Sequence, residues 1–213
     1  MQCLYNNMEK INYHKEMLKE LDSLDHKPSL LLHSCCAPCA TYPLTLLTKY
    51  FDVTILYSNS NIYPFEEYMK RFEELKKYIK EYYPNIKIIE KEYKHEEYMS
   101  HLEKGKDMPE GKWRCFKCYS MRIEDALKYA SDNNYEYVCT VLSVSRFKNS
   151  QAINKIGKSL VKKYPNVKYL VADFKKDKGT EKGIKLAAEA SLYRQQYCGC
   201  EYSIRKEEQD SNK

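Results

Sequence analysis

The sequence predicts one α/β domain in which a parallel sheet carries helices on both faces. Three observations indicate this fold class. Short apolar runs alternate with amphipathic stretches, 213 residues suffice for one sizeable core, and neither an internal repeat nor a Gly/Ser-rich or Pro-rich linker divides the chain. The predicted strands are 29–34, 52–58, 86–91, 136–143 and 167–174.

Helical periodicity fills the stretches between these strands. The clearest helix covers 64–83, with Pro64 at its first position and Glu66 and Glu67 in its first turn. The N-terminal segment 11–25 should form a helix with one apolar face. That face consists of Ile11, Met17, Leu18, Leu21 and Leu24. The other predicted helices are 39–50, 119–133, 150–164 and 181–192.

We divide the chain into three parts. Residues 1–27 form an N-terminal helical extension, 28–206 an α/β metal-binding catalytic domain, and 207–213 a polar, disordered tail. No apolar run reaches the roughly 18 residues of a membrane-spanning helix, and the N-terminal stretch lacks an apolar signal region. We therefore expect a cytoplasmic protein without a membrane partner, whose cysteines stay reduced.

The composition is compatible with an RNA partner but does not identify one. Lysine and arginine number 36 against 30 acidic residues, which gives a net charge of +6. The 21 tyrosines could stack on bases. AT-rich codon usage enriches the same residue types, and the sequence leaves both explanations open.

The nine cysteines are unevenly distributed along the chain. Seven fall into three tight groups, which are Cys35, Cys36 and Cys39, then Cys115 and Cys118, then Cys198 and Cys200. Short spacing lets neighbouring thiols reach one centre at a small cost in loop-closure entropy. Cys3, near the N-terminus, and Cys139, inside an apolar run, are predicted not to be ligands. In a reduced compartment such grouping points to metal binding or catalysis.

The first group lies where α/β proteins bind ligands. The stretch HSCCAPC (33–39) directly follows the first predicted strand, and ligands of parallel sheets bind beyond the carboxyl ends of the strands. Pro38 should begin the next helix, whose unpaired amides favour thiolates. Gly199 permits a sharp turn between Cys198 and Cys200.

The number of thiols suggests two centres. A structural zinc or a 4Fe-4S cluster takes four protein ligands, whereas a catalytic metal keeps three and an open position. Seven thiols therefore fit one closed cluster beside one open metal. The alternative is a zinc-stabilised protein with two structural zincs, which needs an eighth ligand such as His33. The motifs G-x-S-x-G, H-E-x-x-H and the P-loop are absent from the sequence.

Five stretches resemble one known family. They are LLLHSCCAPC (30–39), YSNSNIYPFEEYMKR (57–71), RCFKCYSMRIEDA (114–126), TVLSVSRFKN (140–149) and LYRQQYCGCEYS (192–203). In this order they are similar to the QueH-type epoxyqueuosine reductases, and the resemblance runs from about residue 29 to 205. It implies a Rossmann-like fold of the adenine-nucleotide alpha-hydrolase-like kind. It also implies removal of the epoxide oxygen from epoxyqueuosine at the wobble position of tRNA, the last step of queuosine formation.

The resemblance further implies a 4Fe-4S cluster with an adjacent mononuclear iron. When the ligands of the family are carried over residue by residue, the implied metal ligands of this chain are Cys35, Cys36, Cys39, Cys115, Cys118, Cys198 and Cys200. Cys39 is the favoured ligand of the single iron, and the division of the others stays open. The open iron would bind the epoxide oxygen as a Lewis acid. The cluster would relay two electrons from a small donor protein such as a ferredoxin or flavodoxin.

Residues close to these motifs are candidates for chemistry and binding. The predicted catalytic residues are Tyr193, Arg194 and Gln195, with Tyr197 beside them. The predicted substrate contacts are Asn61, Tyr63, Lys112, Arg114 and Lys148, and the further possible phosphate contacts are Lys117, Arg122 and Arg146. Trp113 either stacks on a flipped-out base or is buried. Asp173 either holds a ligand or caps a local turn.

Two other functions fit part of the sequence. A zinc-stabilised, non-catalytic nucleic-acid-binding protein would be colourless and would lose its fold when a ligand is mutated. An iron–sulfur tRNA sulfurtransferase would need ATP, and the loop after the first strand lacks the glycine-rich pyrophosphate-binding pattern.

Overall fold

Five parallel strands form one sheet in the computed structural model, which describes residues 10–204. Their bounds are β1 Ser29–His33, β2 Asp52–Tyr57, β3 Lys87–Glu90, β4 Tyr137–Thr140 and β5 Lys168–Tyr169. The strand order is β3-β2-β1-β4-β5, and every neighbouring pair is parallel. This arrangement confirms the predicted α/β class and is Rossmann-like. The narrower adenine-nucleotide alpha-hydrolase-like assignment is compatible with it.

The described chain has seven helices, most of which cover the two faces of this sheet. They are α1 Tyr13–Asp22, α2 Ala37–Leu47, α3 Phe65–Tyr82, α4 His95–Ser100, α5 Trp113–Asp132, α6 Ser150–Leu160 and α7 Gly179–Glu189. The alternation of side chains along β1 shows the two layers. Leu30 and Leu32 pack with α1, α2 and α3 on one face, and Leu31 packs with α5 and α6 on the other. Helices on both faces are therefore confirmed.

Strands β4 and β5 are shorter than predicted, because the backbone beyond them bonds to side chains instead of to a neighbouring strand. The Thr140 hydroxyl accepts from the amide of Leu142, and the chain then turns through a 3₁₀ segment, Val141–Val144. The Asn154 amide bonds both the N–H and the C=O of Ala172, at 2.9 and 2.8 Å. These contacts satisfy the backbone beyond β4 and β5 without a neighbouring strand.

Several helix boundaries differ from the predicted ones. Pro64 precedes α3 as its N-cap, with an extended ψ of 178°, so its predicted place as the first helical residue was wrong by one. Helix α5 begins at Trp113, six residues before the predicted start, which puts Cys115 and Cys118 on its first turns. The short helix α4 was not predicted, because its six residues are too few to show a period.

Helix α1 packs with the core through Met17 and Leu21, which are fully buried. The predicted apolar face was wrong for Ile11 and Leu18, whose side chains are 42% and 38% exposed. Ile11 precedes the helix, and Leu18 lies about 100° around the axis from Met17.

The proposed boundary between residues 27 and 28 stays a prediction. Cys3 and the predicted tail 207–213 lie outside the described residues. Among residues 10–204, no helix combines the length and apolar character needed to cross a bilayer.

Candidate metal centre

The site lies where the sheet reverses its strand order. From β1 the chain passes first to β2 on one side, and β4 later joins β1 on the other side. Crevices at such a switch point are the usual ligand sites of open α/β sheets. Here the segment after β1 and the 145–148 segment after β4 line one cavity of about 320 Å³.

Three thiols come together in this crevice. The sulfur atoms of Cys35, Cys36 and Cys39 all lie within 4.8 Å of one another, and those of Cys35 and Cys36 are 3.8 Å apart. Cys36 is the extended N-cap of α2, and Cys39 lies in the first turn of that helix. The change from extended to helical backbone therefore folds the third thiol back towards the first two. Within residues 10–204, no other three His, Cys, Asp or Glu residues meet as closely.

Hydrogen bonds between these thiols favour one shared negative charge. Thiol donors on Cys36 and Cys39 hold the pKa of Cys35 well below its ordinary value. Conversely, the hydrogen bond to Cys35 raises the pKa of Cys39 to about 12. Burial raises the pKa of Cys36. Three sulfur donors, two buried and one half-buried, fit a thiolate-binding ion such as iron or zinc, whose binding would displace the remaining protons.

The other four cysteines approach the same end of the sheet. Cys198 lines the cavity together with Cys35 and Cys39. It also packs with Cys118 and Cys200 in a small apolar cluster. Each of three sulfurs has a polar neighbour. The Gly111 amide donates to Cys115, the Tyr98 hydroxyl donates to Cys118, and the Ser203 hydroxyl lies 3.1 Å from the Cys198 sulfur.

A buried arginine holds the Cys198–Cys200 turn against α3. Arg71 is 1% exposed, pairs with Glu67 at 2.7 Å, and donates to the carbonyl oxygens of Tyr197 and Cys198. Gly199 has a φ of +107°, and a Cβ atom there would lie 3.0 Å from the Arg71 guanidinium. Glycine is thus required both by the backbone angle and by the close approach of Arg71. Sequence reasoning missed Arg71, although its i,i+4 spacing from Glu67 was a usable signal.

Comparison with known proteins gives the family. The family model described as Epoxyqueuosine reductase QueH matches residues 30–206. The chain belongs to the QueH epoxyqueuosine reductase family. Curated relatives named Epoxyqueuosine reductase QueH agree. The one from Staphylococcus epidermidis is 38% identical over 93% of this chain and 87% of its own length. Those from Staphylococcus aureus and Streptococcus pyogenes are 37% and 35% identical, over 92% and 94% of this chain and 85% and 81% of theirs.

The predicted catalytic residues of this QueH family member divide into two groups. Arg194 and Gln195 line the cavity, and the Gln195 amide nitrogen donates to the Cys36 sulfur at 3.0 Å. The Gln195 amide oxygen is buried and has no partner within residues 10–204. Tyr193 lies apart from the cavity lining. Its hydroxyl donates to Glu67 on α3, and its ring lies 3.5 Å from the Lys70 ammonium.

The predicted substrate contacts are also dispersed. Lys148 is half-buried in the cavity, where Cys35, Cys39 and Cys198 outweigh the effect of burial and raise its pKa. Tyr63 is 42% exposed and stacks on His95, and Lys112 is exposed at the start of α5. Asn61 is buried away from the cavity lining, and its side-chain oxygen has no hydrogen-bond partner in the described chain.

Two arginines that the sequence suggested as phosphate contacts are buried and engaged within the protein. Arg114 is 4% exposed and donates to the carbonyl oxygens of Gly105, Lys106 and Met108. Arg122 is 3% exposed. Its Nε donates to His33, and its Nη2 donates to Asn59. Both guanidinium groups are thus buried and bonded within the protein, which argues against either as a phosphate contact.

Three other open questions from the sequence are resolved by contacts. Both ring nitrogens of His33 are bonded within the protein: Nε2 accepts from Arg122, and Nδ1 donates to the Thr140 hydroxyl. His33 is thus not free to be an eighth zinc ligand. The Asp173 carboxylate accepts from Ser150 and pairs with Lys175, which is a local structural role. Trp113 is 41% exposed, which excludes the burial that was one of its two alternatives.

Proposed function

We propose that this chain is an epoxyqueuosine reductase that acts on tRNA and converts epoxyqueuosine to queuosine. The observation that carries the proposal is a cluster of three thiols that borders a cavity at the strand-order switch, in a member of this family. The reaction breaks both C–O bonds of the epoxide and forms a C=C bond. Two electrons and two protons enter, and the oxygen leaves as water.

The proposed cofactors are a 4Fe-4S cluster and a mononuclear iron. Cys35, Cys36 and Cys39 form the part of the ligand set whose sulfurs already meet. Cys115, Cys118, Cys198 and Cys200, at the same end of the sheet, would complete it. When bound, these groups would supply the two electrons and a Lewis acid for the epoxide oxygen.

The residues of the chain would bind and orient the modified base. A cavity of about 320 Å³ is at the lower end of the volumes usual for small-molecule sites, roughly 300–1,000 Å³, and suits one nucleoside. Lys148 and Arg194 bring cationic donors to its wall. They could hydrogen-bond the oxygens of the substrate. Gln195 would fix the Cys36 sulfur through its amide and offer its unpartnered oxygen to a hydroxyl donor.

The rim of the cavity has the chemistry of an RNA-binding surface. Phe147 is 71% exposed, and the Arg146 guanidinium lies 4.8 Å from its ring centre. An exposed aromatic ring can stack on a base, and an adjacent arginine can contact a phosphate. We propose that this rim, with Lys112, receives the anticodon loop, and that a cytoplasmic ferredoxin or flavodoxin delivers the electrons.

Anaerobic purification tests the proposed function. We expect a brown protein with about five irons and four sulfides per chain, the content of one 4Fe-4S cluster plus one iron. Dithionite should bleach it, and the reduced protein should convert epoxyqueuosine in tRNA to queuosine. A colourless protein that holds only zinc, and fails iron–sulfur reconstitution, would refute the reductase and favour the zinc-stabilised nucleic-acid-binding protein.

Replacement of Lys148 by alanine should lower kcat/KM for tRNA about 10- to 100-fold. A hydrogen bond to a charged group contributes about 1.5–3 kcal/mol, and this ammonium is placed to donate one to the substrate. The matched control is Lys128→Ala, which removes an exposed lysine paired with Asp132 on α5. If Lys148→Ala and Lys128→Ala give equal steady-state kinetics, Lys148 does not contact the substrate.

A further inference from the structure

Within residues 10–204, one buried cation near the first cysteines has no carboxylate partner. Arg122 lies on α5 and is 3% exposed, and its partners His33 and Asn59 are uncharged. Among residues 10–204, no Asp or Glu forms an ion pair with it. The buried Arg71, in contrast, pairs with Glu67 at 2.7 Å. A buried charge is costly unless an opposite charge or a metal site compensates it.

The hydrogen bonds of Arg122 connect it to the backbone that presents the first cysteines. His33 ends β1, and the Asn59 amide donates to the carbonyl oxygen of Ser34 at 2.8 Å. Ser34 directly precedes Cys35. These contacts hold the guanidinium next to the turn from β1 into α2.

Nearby thiols can supply the negative charge that compensates Arg122. Cys118 lies one helical turn before Arg122 on α5, and Cys35 directly follows Ser34, whose carbonyl oxygen is bound by Asn59, a partner of Arg122. Thiols become anionic when they bind a metal. The negative charge next to Arg122 is therefore largest when the metal is bound.

We propose that Arg122 is the counter-ion of the metal-binding cysteines. Its fixed positive charge balances the thiolates around Cys35 and Cys118, and thereby raises both their affinity for a metal and the reduction potential of the centre. Arg122 is a positioning residue in this role. This inference rests on the proposed metal centre. Its specific claim is that metal binding requires the positive charge of Arg122 in addition to its hydrogen bonds.

Three variants separate charge from hydrogen bonding. Arg122→Met removes the charge and the donors, and Arg122→Lys keeps the charge but loses the planar fork. Asn59→Asp keeps Arg122 and gives it a carboxylate at the atom it already contacts; because it also removes the amide donor to Ser34, the uncharged Asn59→Ala variant, which loses the same donor, is its control. That partner should neutralise the guanidinium, so Asn59→Asp should behave like Arg122→Met. It also provides a second test in case Arg122→Met fails to fold, which circular dichroism would show.

The measurement is a Co²⁺ titration of the metal-free full chain, followed by thiolate-to-cobalt absorption. We expect Arg122→Met and Asn59→Asp to weaken Co²⁺ binding about 10- to 100-fold, the usual effect of losing a group that supports metal ligands. Arg122→Lys should stay within a few-fold of the wild type. In the iron-loaded proteins, dye-mediated reductive titration should give a more negative midpoint potential for the first two variants and a near-wild-type value for Arg122→Lys.

Two results would overturn the inference while leaving the proposed function intact. One is wild-type Co²⁺ affinity in the folded Arg122→Met and Asn59→Asp variants. The other is equal weakening in Arg122→Lys and Arg122→Met, which would assign the effect to hydrogen-bond geometry. Absence of thiolate-to-cobalt absorption in the wild type would refute the metal centre itself, and the role of Arg122 with it.

Discussion

Replacing Cys36 by alanine is expected to remove most of the bound metal and to lower epoxyqueuosine reduction more than about 100-fold. Loss of a group that only supports metal ligands already costs about 10- to 100-fold, and Cys36 is itself a proposed ligand. Cys36 is 1% exposed, and its sulfur lies 3.8 Å from that of Cys35 and accepts a hydrogen bond from Gln195. Alanine offers no donor to replace it.

The matched control for this variant is Cys139→Ala. Cys139 is equally buried, but it lies within β4 and belongs to the apolar core. Its truncation should cost some stability and leave the iron content unchanged, because a buried thiol in a strand behaves as a small apolar side chain. Iron and sulfide analysis of both variants after anaerobic purification tests whether Cys36 is a metal ligand. Equal iron content in Cys36→Ala and the wild type would remove Cys36 from the ligand set.

Replacing Arg71 by methionine should lower the free energy of unfolding by about 3–5 kcal/mol. The change leaves the mostly buried Glu67 without its cationic partner, and removing one member of a buried ion pair typically costs this much. It also removes both donors to the backbone of Tyr197 and Cys198. We therefore expect urea denaturation to show the lower stability, and metal analysis to show a lower iron content.

Two further variants separate the charge from the loop contact. Lys76→Ala, which breaks the exposed pair with Glu73 on the same helix, should cost about 1 kcal/mol or less. The double variant Arg71→Met with Glu67→Gln should recover much of the stability, since no unpaired charge is then buried. Its iron content should remain low because the Cys198–Cys200 turn has lost its donors. Full recovery of iron would show that Arg71 acts only through global stability.

The sequence was sufficient for the sheet, the helices and the grouping of the cysteines, because each depends on local pattern. β1 reads as a buried strand from SLLLH alone, and CCAPC brings its thiols together through a strand-to-helix turn only a few residues long. The position of the site then follows from where parallel strands end. The structure confirms the parallel sheet and the meeting of the three thiols.

The roles of the arginines could not be predicted from local pattern. Arg114 and Arg122 lie near the same cysteine pair, and both look like surface cations in the sequence. Their burial depends on partners brought together by the fold, such as Asn59 and His33 for Arg122. Tyr193 is a similar case. Its neighbours in sequence line the cavity, but its hydroxyl bonds to Glu67 on α3. Such contacts are set by tertiary packing.

The cavity wall joins residues from nearly opposite ends of the described chain. Cys35 follows the first strand, and Cys198 lies close to the last described residue, yet both line one cavity. A metal centre that took ligands from both segments would act as a cross-link and, like a disulfide, would restrict the unfolded chain. Iron supply would then control how long the protein resists proteolysis in the cell, in addition to whether it can react.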